Sequence, residues 1–282
     1  MLSTKHRLLK TNFIVKRIVI WVVNGIIHLN LFIMAKSNGI LKIEGTVEDL
    51  TFYKKDGKNF VRRKGGVSKN RIETDPNYVR TRENNSEFSI IAGAGKMLRL
   101  ALGSLVFKAK DSKLSSRMMK TMSVIKNFDT ISVRGKRGVA IGLSTAEGKL
   151  ALTGFDFNIN APLSSVLFAN YVLDTASGKV TIANFIALEQ LRFPQGATNV
   201  SFQCGVLGID FDTEVSELTL STIENLALDL TPTSFTLTPA SVPTTTGVTL
   251  FLLMVSFYQE VNGVQYSLKN EEYNVLQVID VI

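Results

Sequence analysis

The chain has 282 residues, 45% of them hydrophobic, which is enough for one large or two modest domains. Both histidines (His6, His28) and the single tryptophan (Trp21) lie in the first 33 residues, and the one cysteine is Cys204. The rest of the chain therefore excludes Ser-His-Asp and Cys-His catalysis, zinc sites built on histidine and cysteine, and an internal disulfide. The formal net charge of +8 hides a division: residues 34–149 hold 24 Lys+Arg against 11 Asp+Glu, and residues 150–282 hold 3 against 13. Such asymmetry suggests contact with nucleic acid or a membrane surface, or between unlike ends of neighbouring molecules.

Residues 1–33 carry five basic residues (Lys5, Arg7, Lys10, Lys16, Arg17), no acid, and a largely apolar run over Ile18 to Ile33. Three readings compete. A signal peptide needs a small-residue cleavage site, and Phe32 and Ile33 beside Ala35 fit it poorly. A membrane span needs about 20 predominantly apolar residues, whereas this run is shorter and contains Asn24, His28 and Asn30. The favoured reading is translation from Met34, which makes the protein cytoplasmic; otherwise it is exported, and no stable membrane span is expected.

Ile43 to Tyr53 is rich in β-formers. Asp56-Gly57 follows as a tight hairpin turn, because both positions tolerate positive φ, and Asn59 to Arg63 is the returning strand. Asp75-Pro76 reads as an N-cap with proline at the first helical position. The helix beyond it places Val79, Phe88, Ile91, Met97 and Leu98 on an apolar face, with Arg80, Arg82, Glu83 and Glu87 on the wet side. Ala92-Gly93-Ala94-Gly95-Lys96 is not a phosphate loop. Met97 stands where Ser or Thr is required and the opening glycine is missing, so the small residues predict close packing of another element.

The N-terminal motifs resemble those of an uncharacterised family of conserved proteins from Bacteroidota. The residues that carry the resemblance are Met34-Ala35-Lys36, Gly45-Thr46, Leu50 to Lys54, Lys64-Gly65-Gly66 and Arg80 to Asn84, then Ala161 to Ser165 and Phe193 to Ala197. It implies a start at Met34 and a lineage, and it implies no activity.

Ser112 to Asn127 places Leu114, Met118, Met122 and Ile125 at helical spacing beside Lys113, Arg117, Lys120 and Lys126, which predicts a helix with a core face and a solvated one. Arg134-Gly135-Lys136-Arg137-Gly138 is a compact basic loop, a candidate phosphate or acid contact. Val139 to Leu152 predicts one short helix, stopped at Gly154. From there short strands recur at Phe155–Ile159, Lys179–Phe185, Asn199–Leu207, Ser216–Leu220, Ser234–Leu237, Val248–Phe257 and Tyr273–Val281. Asn262-Gly263 closes a hairpin between Phe257–Val261 and Val264–Leu268. Cys204 falls in an alternating strand, as a buried thiol.

The expected class is α+β: an N-terminal β-hairpin with helices (34–150, basic) followed by a mainly antiparallel, sandwich-like β domain (151–282, acidic). Asp210, Asp212, Glu214 and Glu217 cluster between two strands but lack the glycine and the downstream bidentate glutamate of a calcium loop, so a solvated turn is expected. No cofactor or small-molecule substrate is indicated, and no enzyme. Two functional classes remain. One is a structural or assembly protein that meets itself or another protein through its basic and acidic halves. The other binds nucleic acid through Lys54, Lys55, Lys58, Arg62, Arg63 and Lys64 on the hairpin and Arg80 and Arg82 on the helix, with Arg134, Lys136 and Arg137 as further basic contacts. Tyr53 and Phe60 are candidates to stack on bases, although core or cross-strand packing is the favoured reading. A bland alternative has the acidic half cover the basic face within one chain.

Overall fold

The computed structural model describes residues 35–36, 44–268 and 272–282; the leader (1–33) and Met34 lie outside them. The chain is α+β and forms two compact units, Met1–Ser68 and Lys69–Ile282.

The first unit is an antiparallel sheet of β1 (Ala35–Lys36), β2 (Gly45–Val47), β3 (Leu50–Lys55) and β4 (Lys58–Arg63), in the order β1-β4-β3-β2. Asp56 (φ 50°) and Gly57 (φ 74°) make the expected turn between β3 and β4. Of the segment Ile43 to Tyr53, the described part from Glu44 onward is not one strand. Glu48 (φ 49°) and Asp49 make a second tight turn that folds β2 onto β3. Among residues 44–68 no side chain is buried, so the described part of this sheet has no core of its own.

The second unit opens with α1 (Lys69–Thr74). Asp75 then accepts the Asn77 N–H at 2.9 Å and caps a 3-10 turn, Pro76–Tyr78, that leads into α2 (Val79–Leu102). α3 (Ser104–Lys108) and α4 (Leu114–Asn127) follow. The single helix expected over 139–152 is two, α5 (Val139–Leu143) and α6 (Ala146–Leu152). They are divided at Thr145, whose hydroxyl accepts the Gly148 N–H and donates to the Gly142 carbonyl.

Leu114, Met118, Met122 and Ile125 are all buried, as their spacing requires. Gly95 explains the small-residue run of α2: a Cβ there would stand 3.2 Å from Met118 Cγ, so α4 packs close against it. The apolar face of α2 differs from the expected one. Ile91, Ala94, Leu98 and Leu102 are buried and Val79 and Phe88 are exposed, while Glu87, assigned to the wet side, is buried.

The remaining elements are α7 (Leu163–Val166), β5 (Tyr171–Asp174), β6 (Lys179–Phe185), α8 (Ala187–Gln190), β7 (Asn199–Asp210), β8 (Val215–Leu220), β9 (Glu224–Ala227), β10 (Thr233–Leu237), β11 (Val248–Val261), β12 (Val264–Ser267) and β13 (Val275–Val281). β7 and β11 pair along almost their whole length. β8 and β9 share the far side of β7, and β13 and β12 the far side of β11, giving six strands. Phe155–Ile159 is not a strand; only Asp156 bridges to Gln277.

β11 alternates between two cores. Leu250, Leu252 and Met254 join α2, α4, α5 and α6, whereas Leu253, Val255 and Phe257 join the three-stranded sheet β10-β6-β5. The two sheets face each other in a sandwich-like pair, and helices cover the outer face of the larger one. This replaces a boundary at residue 150: residues 91–152 share a core with β7, β11 and β13, and the compact units divide after Ser68. The cause is physical. β7 and β11 are apolar on both faces, and a strand with two apolar faces needs a layer on each. Arg117 fastens the layers by donating to the Asp156 and Phe157 carbonyls at 2.6 and 3.0 Å.

Candidate interaction surfaces

The pairing register of the hairpin sorts its side chains. Tyr53 lies opposite Phe60, Thr51 opposite Arg62 and Lys55 opposite Lys58, and these six share one face because alternate residues of a strand point the same way. The Tyr53 and Phe60 rings stack with centroids 5.6 Å apart, and the Arg62 guanidinium sits over Tyr53 at 5.5 Å. Leu50, Phe52, Lys54, Asn59, Val61 and Arg63 take the other face. Lys54, Lys55, Lys58, Arg62, Arg63 and Lys64 are all exposed. Arg63 makes a solvent-exposed ion pair with Asp49 at 3.6 Å, which adds little stability.

The basic residues of the second unit are not equivalent to these. Arg82 donates to the Ile72 and Asp75 carbonyls at 2.7 and 3.1 Å and so ties the end of α1 to α2. Arg80 and Arg134 both pair with Glu83, at 2.9 and 3.2 Å, and Arg134 also donates to Asn84. Arg137 is half-buried and donates to both carboxylate oxygens of Glu87, at 2.7 and 2.9 Å. Of the basic loop, Arg134 and Lys136 face solvent, and Arg137 is spent inside the fold.

Glu87 is the hub of that interior network. It also accepts from Lys126 Nζ at 2.6 Å and from the Gly135 N–H at 2.9 Å. Arg137 above all, with Lys126 and the Gly135 N–H, holds its carboxyl well below the usual carboxylate range although burial acts the other way. The same carboxylate raises the Arg137 pKa. Asp129, also buried, accepts the N–H groups of Ile131, Ser132 and Gly138; these outweigh the effect of burial and keep its pKa low. Sequence reasoning missed this network, although a signal was present. Glu87 stands four residues before Ile91, and Lys126 four after Met122, so each continues an apolar stripe.

The acidic turn between β7 and β8 is organised by Asp210, which accepts from the Thr246 hydroxyl (2.6 Å) and from the N–H groups of Asp212 and Thr213. Thr246 first, then those two donors, lower its pKa to about 2. Asp212, Glu214 and Glu217 are exposed. Among the described residues no three His, Cys, Asp or Glu side chains form a group able to hold a metal ion. Cys204 is buried, which pushes its thiol pKa up. No described helix is long and apolar enough to cross a membrane. No family model matches the chain, and neither a curated protein nor a solved structure does.

Proposed function

We propose that the chain is a non-enzymatic structural or assembly protein that interacts with itself or a protein partner through its basic N-terminal and acidic C-terminal halves, in the cytoplasm when translation starts at Met34. One observation carries this reading. Within the second unit all ion pairs between described residues lie within residues 69–137, and none joins residues 69–149 to residues 150–282. Within that unit the charges of residues 69–149 and of residues 150–282 are therefore not matched by ion pairs, although the two stretches share one apolar core. Unspent complementary charge on one chain favours contact between copies, since complementary potentials steer association. The test is light scattering after size exclusion on the chain expressed from Met34, with the 282-residue chain beside it, at low and high salt and with the 260/280 nm absorbance ratio recorded. Particles larger than a monomer that shrink in salt and carry no nucleic acid are expected. A monomer in every condition would overturn the reading.

The hairpin favours one second reading, a nucleic-acid-binding module. Stacked Tyr53 and Phe60, Arg62 over Tyr53, and Lys55 and Lys58 share a face. Aromatic platforms among cations suit single strands. A peak carrying nucleic acid that salt strips away would select it.

A further inference from the structure

The loop between α4 and α5 is held with unusual firmness for a surface segment. Asp129 fixes its first residues and Gly138, Glu87 fixes Gly135 and Arg137, and the Lys136 N–H closes a turn onto the Val133 carbonyl at 3.0 Å. Gly135 (φ 92°) is seated so tightly on α2 that a Cβ would stand 3.2 Å from Glu83 Cγ. This scaffold displays two aliphatic side chains. Ile131 is 81% exposed, more than any other large apolar residue among the described ones, and Val133 is 68% exposed. Arg134 and Lys136 stand beside them, also exposed, and Lys136 makes no ion pair among the described residues. A floppy loop could fold such residues inward; one anchored on two buried carboxylates cannot, so their exposure is built in. Rigid display of an apolar anchor lowers the ordering cost of binding.

Elsewhere on the same unit, a cavity of about 460 Å³ lies among α5, α6 and the adjoining ends of β7 and β11. Ile141, Phe211 and Val248 supply apolar wall, Asp210 and Asp212 negative charge, and Lys149 the one basic side chain. Its size is within the range of roughly 300–1,000 Å³ that accepts small ligands, hence a pair of aliphatic side chains. The acceptor oxygens of Asp210 are already engaged by Thr246, Asp212 and Thr213, so it offers an incoming cation negative charge rather than a new directed hydrogen bond.

We propose that Ile131 and Val133 of one copy dock into this cavity of a second copy, with Arg134 and Lys136 facing Asp210 and Asp212. The occupant follows from complementarity: an apolar pair flanked by Lys136 and by Arg134, which also pairs with Glu83 of its own chain, against a cavity of mixed polar and apolar lining that holds two anions and one cation. Knob and socket are different patches of one chain, so the contact is head to tail and either closes into a ring or propagates as a filament. The proposal rests on the self-assembly reading and names one contact within it.

The experiment uses the full chain and two variants, Ile131→Ser/Val133→Ser and Asp212→Lys, all at exposed positions, with circular dichroism to verify the fold. Light scattering across a concentration series should show self-association weakened about tenfold or more in each variant alone, as when a central anchor is truncated. An equimolar mixture of the two should recover a 1:1 particle, because one partner keeps the knob and the other the socket. If the unmodified chain assembles and both variants assemble equally well, the docking proposal is overturned while the assembly reading stands. If the unmodified chain stays monomeric at every concentration and salt, both fall.

Discussion

Glu87 and Arg137 stand fifty residues apart in sequence and meet through two hydrogen bonds of 2.7 and 2.9 Å. The pair joins the middle of α2 to the end of the α4–α5 loop, and Lys126 brings α4 to the same carboxylate. Removing Glu87 leaves two cations without their anion in a largely buried site. Glu87→Ala should cost about 3–5 kcal/mol, the loss typical of breaking a buried pair from one side. Lys126→Met should cost much less, because Arg137 and the Gly135 N–H still satisfy the carboxylate. Urea unfolding of the two variants, read by circular dichroism, checks the order.

The same carboxylate sets a pH dependence. The pKa of Glu87 in the folded chain lies well below its ordinary 4.5, and that of Asp129 below its ordinary 3.8. A depressed carboxyl pKa contributes stability that is complete above the unfolded value and is lost as pH falls through the folded one. Asp156 acts with the opposite sign, since burial raises its pKa and its protonated form favours the folded chain. Stability should therefore decline as pH drops through about 4.5, where the unfolded glutamates are half protonated. In Glu87→Gln that acid limb should be shallower. Urea midpoints from pH 7 down to pH 3 measure it; an identical slope in both proteins would exclude Glu87 as its source.

Much of the fold was legible in the sequence where one local signal dominates. Asp56-Gly57, the Asp75 cap, the methionine stripe of α4 and most of the C-terminal strands are of this kind. Signals that depend on distant partners were not legible. β5 and β9 are short strands whose pairing with β6 and β7 is decided by the sheet rather than by their own residues. The boundary expected at residue 150 followed a real change in charge and periodicity, but β7 and β11 are apolar on both faces and draw the helices into the same core. The candidate surface was half legible. Arg62, Arg63 and Lys64 are exposed, whereas Arg82 and Arg137 are engaged with carbonyls and a carboxylate that no local pattern links to them.

Two helical glycines should respond in opposite directions to the same substitution. Gly93 lies in α2 with open space around the missing Cβ, so Gly93→Ala should stabilise the protein by about 0.5–1 kcal/mol through helix propensity. Gly142 lies in α5 against α4, where a Cβ would overlap the Ile125 carbonyl. Backbone cannot swing aside as a side chain can, so Gly142→Ala should cost about 1–3 kcal/mol or more. Thermal midpoints of the two variants, moving up and down respectively, test the close approach of these helices.

Reversing charge at Arg62, Arg63 and Lys64 separates association from stability. All three side chains are exposed, and the one ion pair they make among the described residues, Arg63 with Asp49, is solvent-exposed as well. Changing them to glutamate should leave the thermal midpoint almost unchanged, because surface substitutions of this kind stay within about 0.5 kcal/mol. Particle size should nevertheless fall, since the substitution places anions where the acidic half of a neighbour needs cations. The effect should be largest at low salt and fade as ionic strength shortens the screening length towards about 3 Å at 1 M. Light scattering at matched concentrations gives the comparison. Assembly that persists unchanged in the triple variant would remove the hairpin from the contact and leave the α4–α5 loop as the element to test alone.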